Sequence, residues 1–289
     1  MISLDWLYDL IGRIPLDAFQ YRFMQEALVA LVLLAPMYAS MGVQAVNFRM
    51  AFFSDAISHS ALAGAAFGLL MGLADPFFAM VGLAVLIGVG IVAVGRRTLL
   101  SADTVIGVFF STAVAFGLVI VGRDRHVANT VGKFLFGDII FIGDLVGWLF
   151  GLCAVVLAFQ AIGYNRLLYV GLNAPLASAH RVHVRVYQYV YAVLLALVAI
   201  VSVRTVGILL VTAMLIVPTA AARNLARSAG GMFWWALAIA LVSSVAGLIL
   251  SFDPRIHAPA GAMIVLVASG LFVLSVVIRL PGRLGLRHG

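Results

Sequence analysis

Ser54-Asp55-Ala56-Ile57-Ser58-His59 is the stretch of this chain whose residue types and spacing best suit chemistry. Asp55 and His59 stand four residues apart, so on a helix they share a face with their Cβ atoms about 5–6 Å apart. A carboxylate beside an imidazole makes a partial coordination shell for a divalent transition metal. The pair opens an apolar run, where ionisable side chains are costly and carry a function by default. The same two residues can instead fix helix packing through an Asp–His hydrogen bond, with Ser54, Ser58 and Ser60 adding polar contacts. Spacing alone admits both readings. Ala61, Ala63, Gly64, Ala65, Ala66 and Gly68 follow, a small-residue surface on which neighbouring helices can lie close.

A second polar cluster, Asp253 and His257 ahead of Pro259-Ala260-Gly261, separates two apolar runs. It suits an outer vestibule that receives an ion, and equally a capped turn before a helix. His126, among Arg123, Asp124 and Arg125, reads as solvated loop charge, and His180 and His183 flank Arg181 in a polar stretch suited to meeting a partner. Met214 and Met263 offer thioethers, but methionine in apolar helices fills gaps. Cys153 is the only cysteine, which excludes an intramolecular disulfide or a cysteine cluster and leaves a small buried hydrophobe. The chain has no GxxxxGK[ST] phosphate loop and no HExxH pair. The first absence means that the chain cannot itself be an ATPase, and the second weakens a membrane metalloprotease reading; no enzyme activity and no permanently bound cofactor are expected.

The elements that must hold these residues are membrane helices. The 289-residue chain is 64% hydrophobic and 10% charged, with a mean hydropathy of +1.17. Soluble domains run near 45–50% apolar and 25% charged. Eighteen basic and 11 acidic side chains cannot offer water enough polar surface for a globule of this size, whereas a bilayer needs none. Apolar runs fall near 23–46, 51–72, 76–95, 104–122, 144–162, 187–203, 205–222, 232–251 and 261–280. The expected fold is all-α, a polytopic membrane protein of eight or nine transmembrane helices, one of them broken at Pro218. Residues 127–143, interrupted by Asn129, Gly132, Lys133, Gly137 and Asp138, read as a loop with a short helix. Residues 1–22 carry Asp5, Asp9, Arg13 and Asp17 before any long apolar stretch, so they read as an amphipathic lead-in instead of a cleavable signal peptide. Residues 23–280 are expected to form the transmembrane domain and 281–289 a cytoplasmic tail.

The net charge of +7 does not suggest nucleic acid, because the arginines stand singly or in pairs between apolar runs and form no basic face. Arg96 and Arg97, then Arg166, Arg181 and Arg185, then Arg223 and Arg227, then Arg279, Arg283 and Arg287 all fall on one side if there are nine spans. The positive-inside rule makes that side, and the C-terminus, cytoplasmic. The polar segment Tyr164–Tyr187 lies there. It is long enough for a short surface helix, which a permease driven by a separate ATPase needs for contact and a self-sufficient carrier does not.

These landmarks together resemble the metal-ion class of bacterial ABC importer permeases, the zinc, manganese and iron uptake systems, from about Phe23 to Leu280. The resemblance rests on Phe48–Gly64 around the Asp-Ala-x-Ser-His core, then Asp103-Thr-Val-Ile-Gly107, Leu135-Phe-Gly-Asp138, Val203–Val211 and Leu215–Arg223, which together resemble the family's broken helix, and Pro259-Ala-Gly261. It implies that Asp55 and His59 coordinate the transported divalent metal. It also implies a homodimer or paired permeases, two ATP-binding cassette ATPase subunits and an extracytoplasmic metal-binding protein, in a multi-pass protein of the bacterial inner membrane. Asn173, Ala174, Pro175, Leu176, Ala177, Ser178, Ala179, His180 and Arg181 align with the coupling helix. Asn173 stands where the family commonly has Asp, and Arg181 where it commonly has Gly. Zinc-type members often carry a histidine in the fourth span, where this chain has Phe109-Phe110-Ser111. That leans toward manganese or iron, although Asp plus His suits all three metals. The other reading is a stand-alone secondary metal carrier exchanging protons at Asp55 and His59.

Overall fold

The computed structural model describes residues 5–13, 15, 17–124, 127–129, 131, 146–253, 255–256 and 258–284. Among these there is no strand. Each apolar run expected to span is a helix. In chain order the helices are α1 (Asp5–Gly12), α2 (Arg22–Asn47), α3 (Phe53–Leu70), α4 (Phe77–Arg97), α5 (Ala102–Val121), α6 (Val146–Leu172), α7 (Ala174–Ala179), α8 (Val184–Val206), α9 (Ile208–Leu225), α10 (Ala229–Ser251) and α11 (Ala260–Leu284). Eight of them are long and apolar enough to cross a membrane. The ninth long helix, α3, stands outside that set. The reason is chemical: Ser54, Asp55, Ser58, His59 and Ser60 lower its hydropathy.

The chain divides into two compact units. The first comprises Met1–Val43, Ile139–Ala154 and Ala213–Gly289, the second Gln44–Asp138 and Val155–Thr212. In the first unit α10 packs against α11, close enough that a Cβ on Gly247 would collide with the backbone of Ile264. In α1, Tyr8 and Ile11 are buried while Trp6 and Leu10 are exposed, and the Arg22 guanidinium lies 3.9 Å over the Tyr8 ring.

In the second unit α3 is the central helix, packed on α4, α5 and α8. Its small residues make that possible. A Cβ on Gly64 would sit 2.7 Å from Met80 Cα, and Gly117 of α5 lies against Ala63. Without a hydrophobic drive between helices in lipid, such close backbone approach is a principal source of helix association.

Two expectations are corrected. The break expected at Pro218 is not there: α9 runs through Pro218 without interruption. Loss of one backbone donor is tolerated in a membrane helix when neighbouring groups absorb the freed carbonyl. The discontinuity lies instead at Gly207, whose φ of 85° ends α8 one residue before α9 begins. Only glycine enters that region without steric cost. Secondly, the polar segment between spans, with its expected short helix, is shorter than Tyr164–Tyr187. Residues 164–172 continue α6, and α8 begins at Val184, leaving α7 between them. With 27 residues, α6 measures about 40 Å at 1.5 Å per residue, so its end extends past a hydrocarbon core of about 30 Å.

The Leu135–Asp138 landmark and the interrupted stretch over 132–143 lie outside the described residues.

Candidate metal-permeation site

The burial pattern of α3 singles out one stripe. From Phe53 to Ala66 every residue is buried except Asp55, His59 and Leu62, the i, i+4, i+7 spacing of a single helical face. Packing on three neighbouring helices accounts for the rest of the helix, and the open stripe carries both ionisable groups.

Asp55 and His59 do meet. The imidazole Nδ1 lies 3.7 Å from Asp55 Oδ1, with the side chains about one third exposed. Nδ1 is 3.0 Å from the Asp55 main-chain carbonyl. A carbonyl can only accept, so Nδ1 is the donor. In the neutral ring this leaves Nε2 with the free lone pair, the arrangement that orients a histidine for a metal. The edge of the ring packs on Phe110 of α5, with ring centroids 4.9 Å apart. Beyond His59 opens a cleft of about 210 Å³ lined by Leu62, Val114, Gly117, Leu118, Val121, Ala128 and Val131. Asp55 and His59 therefore offer two ligands, one oxygen and one nitrogen. Among the described residues no group of three His, Cys, Asp or Glu side chains converges.

The other candidates are not brought into this arrangement. Asp253 is exposed and its carboxylate accepts from the Arg255 backbone N–H at 2.9 Å, a capped turn. His257 and His126 lie outside the described residues. Met214 is fully buried.

The segment Asn173–Arg181, expected to meet an ATPase, is well defined. Asn173 Oδ1 accepts from Leu176 N at 3.0 Å and caps α7, while Pro175 sits in the first turn where its missing N–H costs nothing. At the other end Arg181 N–H reaches Ser178 O and Val182 N–H reaches Ala177 O, each at 3.1 Å. That pair of bonds is a Schellman closure. It forces Arg181 to φ 60°, a left-handed conformation that glycine adopts freely. Ala177 is buried, whereas Leu172 and Leu176 are exposed, and His180 stacks on Tyr169. Replacing Arg181 by Gly relieves the left-handed strain. The expected result is a stabilisation of about 1 kcal/mol, read as a higher melting temperature of the purified chain.

One contact escaped the sequence reading. Arg204, at the end of α8 just before Gly207, pairs with Asp75 at 3.0 Å and lies over the Phe77 ring. Asp75 also caps the start of α4, accepting from Phe77 N at 3.0 Å. The available signal was an Asp-Pro step after a helix together with a lone arginine near the end of an apolar run.

Comparison with known proteins agrees in extent along the chain. The High-affinity zinc uptake system membrane protein ZnuB of Haemophilus influenzae is 32% identical, covering 88% of this chain and 97% of that protein. The Manganese transport system membrane protein MntC of Listeria innocua is 32% identical, covering 89% and 90%. Among solved structures, PsaBC from Streptococcus pneumoniae in complex with Fab superposes with a TM-score of 0.76 at 28% identity, covering 94% of this chain and 95% of that one. The family described as the ABC 3 transport family matches residues 20–279. With nearly every spanning helix inside that match, the chain belongs to the ABC 3 transport family and is a multi-pass membrane permease, not an ATPase.

Proposed function

We propose that this chain is the permease subunit of an ATP-driven importer that carries a divalent transition metal, zinc or manganese (iron shares the ligand chemistry), into the cytoplasm. The observation that carries the reading is the single open stripe of α3 bearing Asp55 and His59, an oxygen and a nitrogen ligand suited to those ions. Relatives named for zinc and manganese uptake support the choice of ion. Two ligands from one helix form a weak site, as conduction requires, since an ion that enters must also leave. Its remaining ligands are water or a second permease copy, which makes a homodimer the working assembly. ATP-binding cassette subunits dock at α7 from the cytoplasm, and an extracytoplasmic metal-binding protein delivers the ion from the other side. Residues 1–22 serve as the amphipathic lead-in, and the arginine-bearing ends of α4, α6, α9 and α11 face the cytoplasm.

The test is reconstitution. Proteoliposomes holding this chain alone are expected to show no ATP hydrolysis and no concentrative zinc or manganese uptake, and addition of the ATPase subunit with ATP restores both. Metal accumulation by the chain alone, driven by a proton gradient, would overturn the proposal in favour of a secondary carrier.

A further inference from the structure

We infer that the first unit holds an anionic phospholipid of the cytoplasmic leaflet in a groove between α10 and α11. The groove measures about 470 Å³ and is lined by Leu225, Trp235, Ile239, Val242, Leu274 and Ile278 among others. Trp235, Val242, Leu274 and Ile278 are each 47% exposed or more. One end is closed by a polar network. Asn224 Nδ2 donates to Ser275 Oγ at 3.1 Å, and Arg279 Nη1 donates to Asn224 Oδ1 at 3.2 Å and to the Arg223 carbonyl at 3.4 Å. Ser275 belongs to both network and groove.

Charge decides the occupant. Arg223, Arg227 and Arg279 stand exposed at this end. The described acidic residues of the unit, Asp5, Asp9, Asp17, Glu26 and Asp253, belong to the lead-in, the start of α2 and the α10–α11 turn. These lie together at the opposite end, where the Tyr21 and Phe252 rings are 5.5 Å apart. Three guanidinium groups that no described carboxylate of this unit faces suit a phosphate, and a basic pocket between helices on the cytoplasmic side suits a lipid headgroup in particular. The apolar groove running from that end takes an acyl chain. Trp235, about 10 Å along α10 from its cap at 1.5 Å per residue, lies at the depth favoured by interfacial aromatics. A second copy of the chain fits less well, because a two-fold contact here would bring the same three arginines toward their equivalents. The inference rests on the membrane orientation proposed above and not on the ion carried.

Native mass spectrometry of the full-length chain tests it, with phosphatidylglycerol and phosphatidylcholine of matched acyl chains as probes. The wild type is expected to retain one phosphatidylglycerol per chain in preference to phosphatidylcholine. The Arg223→Gln/Arg227→Gln variant is expected to lose that preference by about five-fold per arginine. Ala238 also lines the groove, and Ala238→Trp, which fills it and leaves the arginines in place, is expected to abolish retention. Equal retention of both lipids, or undiminished phosphatidylglycerol in either variant, overturns the inference. So does efficient Val242→Cys cross-linking between two copies in a Cys153→Ser background, which would assign the face to a dimer contact. Retention is read without transport, so its failure leaves the transport proposal standing, and a chain that carries no metal can still bind the lipid.

Discussion

Alanine at Asp55 is expected to abolish metal uptake per assembled transporter, by at least about 100-fold, and alanine at His59 to do the same or to change the preferred metal. The scale is set by groups that only support a ligand, whose loss already costs about 10–100-fold; removing the ligand itself costs no less. Neither change should unfold the protein. Both side chains are about one third exposed, and the packing of α3 is carried by Gly64 against Met80 and Ala63 against Gly117. A packing role predicts a different pattern. Losing one hydrogen bond would cost about 1 kcal/mol, lowering the amount of folded chain while each assembled transporter kept its full rate. Uptake normalised to assembled complex separates the two, and normal rates in both variants would remove the pair from the metal path.

The second large effect is expected at α7. Leu176→Asp puts a charge on an exposed apolar side chain, so the fold should hold while ATP-driven uptake falls by about 10-fold or more, since one well-seated anchor residue at an interface is worth 2 kcal/mol or more. Ala177→Asp, one residue on, buries a carboxylate at a position only 1% exposed and should instead reduce the amount of folded protein. The contrast between adjacent residues is the diagnostic. Full coupled uptake by the Leu176→Asp transporter would mean that the ATPase docks elsewhere.

Most of the fold was legible because membrane helices announce themselves locally. A run of about 20 apolar residues must become a helix in lipid, and each expected run did. The Asp55–His59 face was legible for the same reason, since a four-residue spacing fixes a shared side once the helix is granted. What escaped depends on partners distant in sequence or on terms a hydropathy window does not weigh. The extension of α6 beyond Gly163 carries Tyr164, Asn165 and Arg166, which look like loop by polarity yet sit comfortably in a helix that has left the membrane. Pro218 suggested a break because proline forfeits a backbone bond, while Gly207 reveals its role only through its φ. The Asp75–Arg204 pair joins a turn to the end of a helix far along the chain, and no periodicity records it. Of the outer vestibule expected at Asp253 and His257, Asp253 caps its own turn and His257 lies outside the described residues.

The capped ends of α7 bear on how motion is passed along. Six residues are too few to persist as a helix by themselves. Here Asn173 pins the start, the turn at Arg181 pins the finish, and buried Ala177 anchors the middle. The element therefore behaves as a stiff link, without a hinge of its own. Next in the chain is α8, a rod of 23 residues, about 35 Å long at 1.5 Å per residue, ending at Arg204 in contact with Asp75. In the docking proposed above, a displacement applied at Leu176 would be carried along α8 toward the turn beyond α3. After the turn at residues 180–183, Gly207 is the next break in the helical chain.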